Sequence, residues 1–173
     1  LYHPTMMHTR QTSRALHDEH RANLALLGRL ETALGRAPRR PIDATSASNA
    51  ELTPLIGALR RQIEHDVERH FEFEERELFS RMADSGDGDI AALLAEEHDA
   101  IREVAAELLP LTRAFADGSI DDAGWQTLSR GTLELVERQV AHIQKEEMAL
   151  LPMLEDLLDD DTDRQLAMDY TTA

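Results

Sequence analysis

Six residues of this chain stand where their surroundings give them no structural reason to be: His20, His70, Glu74, His98, His142 and Glu146. Each interrupts an otherwise apolar helical stripe. His20 falls between Leu16 and Leu24, and His98 between Leu94 and Ile101. His70 and Glu74, like His142 and Glu146, are four positions apart, which on an α-helix is a turn of about 400° and places both side chains on one face. A carboxylate buried alone costs several kcal/mol or is forced neutral. Imidazoles and carboxylates converging on a core are instead satisfied by cations, which supply the missing charge and organise the lone pairs. These six are therefore candidate metal ligands.

Repetition separates this reading from the ordinary one. A lone core histidine is more often a hydrogen-bonded structural residue, and a single His-x-x-x-Glu is common on a surface. Here His70-Phe-Glu-Phe-Glu74-Glu75 is matched in spacing and character by His142-Ile-Gln-Lys-Glu146-Glu147, and Leu16-His-Asp-Glu19-His20 by Leu94-Ala-Glu-Glu97-His98. The second half of the chain repeats the first, as a helix with His followed by a helix with His-x-x-x-Glu. Two such halves packed about a pseudo-twofold axis bring two equivalent donor sets together.

The elements that must position these residues are helices. The first runs from about Ser13 to Gly35. Pro38, Pro41 and the Thr/Ser/Ala/Asn stretch after them read as a loop. A second helix opens with Thr53 as N-cap and Pro54 in the first turn, carries Leu55, Leu59, Ile63, Val67, Leu78 and Met82, and ends at the cluster from Asp84 to Gly88. A third passes through Leu94, Ile101 and Leu108 to Phe115, with a kink expected at Pro110. The fourth begins near Asp121 and reaches Leu157, with Pro152 a second candidate kink. Asp159 to Asp163 suits the N-terminus of a short fifth helix. The expected fold is all-α, an up-down-up-down four-helix bundle over residues 10–158 with a short C-terminal helix or tail over 159–173.

Composition narrows the partners. Eighteen basic against thirty-four acidic residues leave a net charge of −16, which repels phosphate backbones and anionic lipid. Neither nucleic acid nor a membrane is an expected partner. There is no cysteine, which removes thiolate nucleophiles, zinc ribbons and cysteine-ligated iron–sulfur clusters. No apolar run approaches the roughly 18 residues of a membrane helix, and Leu1 to Arg10 shows no signal-peptide pattern, so the expectation is a soluble, cytoplasmic protein.

The motifs Asp18-Glu19-His20-Arg21, His70-x-x-x-Glu74-Glu75, Glu97-His98-Asp99 and His142-x-x-x-Glu146-Glu147, followed by Leu150-Leu151-Pro152, resemble those of the hemerythrin-like (HHE cation-binding) family from about Ser13 to Leu157. The resemblance implies a di-iron centre inside the bundle, with the two glutamates bridging the irons. It also implies a role in handling dioxygen, nitric oxide or peroxide, or in sensing iron and redox state. Oxygen-carrying members use five histidines, and the strict count here is four. His17, about 60° round the helix from His20, is the candidate fifth. His65 is set aside, about 140° from His70, and His3 and His8 lie in the ragged start.

Histidine with carboxylate and no thiolate suits iron or manganese, with zinc less favoured. There is no Glu-x-x-His of the ferritin-like di-iron proteins and no His-Glu-x-x-His of the metalloproteases. Two bridging glutamates and four histidines, with an oxo or hydroxo bridge, leave each metal about one open position, narrow enough for a diatomic or peroxide. Sensing or detoxification follows more naturally than transport, and whether turnover accompanies binding stays open. Two alternatives remain at this point: an iron-responsive interaction module read by a protein partner, and a metal-free helical scaffold. Glu75, Glu97 and Glu147 read as a solvated face or as carboxylates that orient ligand imidazoles, a role assigned first to Glu19 or Glu97.

Overall fold

A computed structural model describes residues 8–37 and 50–172; the expected loop at Pro38 and Pro41 lies outside the described residues. Those residues form five helices and no strand. Helix α1 is Gln11–Gly35, α2 spans 52–84, α3 is Gly88–Asp117, α4 spans 122–157, and α5 is Asp160–Thr172. Helices α1 to α4 pack in order, α4 closes back on α1, and α5 packs on α1. Neighbours run antiparallel: Arg36 pairs with Glu51 while Glu19 pairs with Arg69, and Glu64 pairs with Arg113 while Glu75 pairs with Arg102.

Local chemistry sets most helix ends. The Asp121 carboxylate accepts from the Gly124 N–H at 2.7 Å to start α4, and Asp159 does the same for Thr162 at 2.7 Å to start α5. Helix α3 ends at Gly118, whose φ of 77° only glycine adopts without strain. Two ends differ from expectation. Glu51 is already in the helical region, so α2 begins at Leu52 and Thr53 lies inside the first turn rather than capping it. Pro54 fits there because its missing N–H would have had no helical partner. Helix α1 has no side-chain cap of its own. Its free N–H groups at Gln11 and Thr12 donate instead to the buried Asp163 carboxylate of α5, both at 2.9 Å, so the C-terminal helix caps the N-terminal one.

Helix α3 runs through Pro110. Helices α2 and α4 each widen into a π-helical turn, at Glu74–Phe79 and Glu146–Leu150. The two turns sit at equivalent places in the repeat, although only α4 carries a nearby proline, Pro152. The proline is therefore not their cause. Single π-turns inside α-helices are frequent at functional positions, and both begin on the glutamate of the His-x-x-x-Glu pair. A third π-turn, Gln62–Asp66, has no counterpart in the other half.

Two apolar clusters fill the bundle. One holds Leu27, Leu30, Leu59, Ile101, Leu108, Trp125 and Leu135; the other holds Leu16, Leu78, Met82, Leu94, Leu150, Leu154 and Tyr170. Along every helix of the bundle, the candidate ligands fall between a residue of one cluster and a residue of the other. The site is a polar layer between two dry cores.

Candidate metal centre

Four helices each deliver one imidazole to this layer. His20 comes from α1, His70 from α2, His98 from α3 and His142 from α4. Glu74 and Glu146 come from the π-turns, and all six are buried, with both carboxylates at 0% exposure. The imidazole Nε2 atoms point inward onto the two carboxylates. His20 Nε2 lies 2.9 Å from Glu146, His142 Nε2 3.0 Å from Glu146, His70 Nε2 3.2 Å from Glu74 and His98 Nε2 3.1 Å from Glu74. Glu146 also reaches His70 at 3.5 Å and His98 at 3.6 Å. The donors divide into two sets, His20/His70/Glu74/Glu146 and Glu74/His98/His142/Glu146, which share both carboxylates. That is the arrangement of a dinuclear metal site.

The surroundings of the outward-facing Nδ1 atoms favour one tautomer. His98 Nδ1 lies 2.7 Å from Glu75, His142 Nδ1 2.8 Å from Glu97, and His70 Nδ1 3.1 Å from the Tyr170 hydroxyl and 3.7 Å from Glu19. His20 Nδ1 is more loosely placed, 3.8 Å from Glu147. An Nδ1–H donated to an outer carboxylate leaves Nε2 with a lone pair aimed at the inner carboxylates. Lone pairs then face lone pairs. Both oxygens of Glu74, one oxygen of Glu146, and the Nε2 atoms of His98 and His142 are buried without a hydrogen-bond partner. Only cations between them satisfy all of these atoms at once, so the residues present fit a pair of bound metal ions.

Without metal, protons must do the same work. Burial pulls the His20 imidazole down, but Glu146 and Glu147 overcome it and raise it to about 9. Burial likewise opposes His98, which Glu146 and Glu74 raise to about 9. His70 is raised well above its ordinary value against burial by Glu74, Glu146 and Glu19. Burial pushes the Glu146 carboxyl up, yet the four surrounding imidazoles hold it well below the usual carboxylate range.

Glu19 and Glu97 face ligand imidazoles as expected of orienting carboxylates; Glu75 takes the same position, and Glu147 stands looser in it. His17 joins neither inner set. Its Nδ1 lies 2.5 Å from Glu147, with His8 Nε2 3.6 Å from the same carboxylate, so His8 belongs to the site's surroundings as well. Tyr170 went unnoticed because nothing local ties it to His70, one hundred residues earlier. Its hydroxyl donates to Glu19 and contacts His70 Nδ1. Tyr170→Phe should weaken metal binding by up to about tenfold, because Glu19 alone still faces His70; competition with a chromophoric chelator measures it, and unchanged affinity would remove Tyr170 from the site.

Two buried His/Glu sets that share a carboxylate pair inside a helical bundle are suited to holding a dinuclear metal site. The chain matches the Hemerythrin HHE cation binding domain over residues 11–154 and belongs to that family. Among curated proteins there is no match. No helix among the described residues is long and apolar enough to cross a membrane.

Proposed function

We propose that this is a hemerythrin-like di-iron protein whose buried centre binds or reacts with dioxygen, nitric oxide or hydrogen peroxide, in sensing or detoxification. His20, His70, Glu74, His98, His142 and Glu146 are the proposed ligands. The observation that carries the reading is the sharing of Glu74 and Glu146 between two buried imidazole pairs, since carboxylates common to two metals suit a redox-active iron pair. Two irons held there would supply an exchangeable coordination position and the electrons for small-molecule chemistry.

The protein's own contribution is exclusion and positioning. A cavity of about 20 Å³ adjoins the layer, lined by His20, Val67, His70, Phe71, Gln139, His142 and Ile143. One water needs about 10–15 Å³, so the space admits a diatomic or peroxide and nothing the size of a sugar or peptide. Phe71 stacks on His98 at 3.7 Å between ring centres and holds that ring in place. Gln139 is buried, accepts from Gln62 Nε2 at 3.2 Å, and keeps its own Nε2 without a partner. That group is available to hydrogen-bond a ligand in the cavity. Gln139→Leu should speed ligand release about 2–10-fold, the worth of one net hydrogen bond of ~0.5–1.5 kcal/mol, as read by stopped-flow; unaltered release would exclude Gln139.

The test of the reading is elemental analysis with an absorption spectrum on protein from iron-supplemented cells. About two irons per chain, the near-ultraviolet bands of a bridged ferric pair, and spectral change of the reduced protein with one of the three small molecules are expected. Reduced, iron-loaded protein inert to all three would sink it. A second reading, an iron-responsive module recognised by a protein partner, is favoured by the Tyr170–His70 contact, which ties α5 to the centre. Metal-dependent hydrogen exchange in α5 without small-molecule reactivity would select it.

A further inference from the structure

Four carboxylates face the imidazoles from outside, and three are each paired with a permanent cation. Glu19 has Arg69 at 3.2 Å, Glu75 has Arg102 at 2.8 Å, and Glu97 has Lys145. The fourth, Glu147, has none among the described residues. Among the described residues its ion-pairing neighbours are imidazoles: His17 Nδ1 at 2.5 Å, His8 Nε2 at 3.6 Å and His20 Nδ1 at 3.8 Å. Its Oε2 is buried with no hydrogen-bond partner, and so is His20 Nδ1 facing it.

The pseudo-symmetry makes this difference informative. Glu75 and Glu147 occupy the same place in the two halves, one residue after the shared glutamate. In the first half a guanidinium neutralises the carboxylate. In the second, two histidines from the start of the chain gather around it, where an arginine would have done the same work. Imidazole differs from guanidinium in offering a lone pair, so these residues concentrate donor atoms where the other half supplies charge. One donor atom each from His8, His17 and Glu147 lies within 4.8 Å of the others. Metal–donor bonds of ~2.0–2.2 Å bring such atoms to within about 4 Å of one another, a closure that the partly exposed His17 side chain allows.

We propose that His8, His17 and Glu147 form a third, mononuclear site for a divalent transition-metal cation at the rim of the bundle, distinct from the buried pair. Two imidazoles and one carboxylate suit Zn²⁺ or Fe²⁺, with water completing the shell on the exposed side. The bound cation stands beside Glu147 as Arg102 stands beside Glu75, and fixes the carboxylate that faces His20. The site takes no electrons and performs no group transfer.

Zinc titration of the whole chain by calorimetry and equilibrium dialysis tests this, comparing the wild type with His8→Ala/His17→Ala. The wild type should bind one equivalent more than the variant. The difference reads the rim site whatever the inner centre holds: three against two if both sites exist, and one against none if the buried centre takes no metal. Equal stoichiometry in the two proteins would overturn the proposal. A measurement without mutation guards against a misfolded variant. Zn²⁺ added to the wild type should slow acylation of His8 and His17 by diethyl pyrocarbonate at least fivefold, and unslowed acylation at saturating zinc would also overturn it.

Discussion

Glu146→Ala should cost the protein both metals together. Among the described residues its carboxylate is the one side chain that lies within 3.6 Å of all four inner imidazoles, so no donor set survives its removal intact. Glu74, by comparison, meets His70 and His98. The expected result is a fall from about two irons per chain to below about 0.3, with more than about 100-fold weaker binding of the first metal, exceeding the 10–100-fold effect of an outer partner. The variant should also lose stability without metal. Glu146 is the common counter-charge of imidazoles whose protonated forms are favoured in the metal-free protein, and removing one partner of a buried ion pair costs about 3–5 kcal/mol. For a chain of this size that lowers the melting temperature by roughly 6–20 °C. Retention of one tightly held iron in Glu146→Ala would mean that the two positions do not share this carboxylate.

The second large effect is the pH dependence of the metal-free protein. His20 and His98 are raised to about 9 and His70 is raised well above 6.5. A group whose folded value lies above its unfolded value stabilises fully below the unfolded value and loses that contribution as pH rises through the folded one. The stability from His20 and His98 is therefore complete below about pH 6.5 and lost as pH rises through about 9, and that from His70 is lost in the same direction. Chelator-treated protein should melt on the order of 10 °C lower at pH 9 than at pH 6.5, whereas metal-loaded protein should change by a few degrees, since its imidazoles are already deprotonated. Loading itself expels these protons, so apparent metal affinity should climb at least about tenfold per pH unit over the same window. Differential scanning calorimetry on both forms decides the matter: a metal-free melting temperature that is flat or rises with pH would show that the imidazoles do not carry these protons.

Much of the architecture was legible in the chain because helical periodicity is local. Leu16, His20 and Leu24 announce one face of α1 without any knowledge of what packs on it, and the Asp121, Asp159 and Gly118 ends follow from side chains within three residues of the break. The start of α2 was misplaced by a local rule, because Thr53-Pro54 is a strong cap signature and the helical conformation of Glu51 is not written in its residue type. The cap of α1 was out of reach altogether: Gln11 and Thr12 donate to Asp163, more than 150 residues away.

By itself, then, the sequence determined the helices, the inward-facing His and Glu residues, and the duplicated pattern that marks the family, since each depends on spacing along a single element. Only the tertiary structure decided which carboxylate meets which imidazole. It also widened α2 and α4 into π-turns at Glu74 and Glu146, brought Tyr170 onto His70, and set His8 and His17 beside Glu147 rather than among the inner donors. The reason is physical. Periodicity fixes the direction of a side chain relative to its own helix axis, while partners across the bundle depend on the rotation and register of four helices at once, and those are set by how the two apolar cores above and below the polar layer fill space.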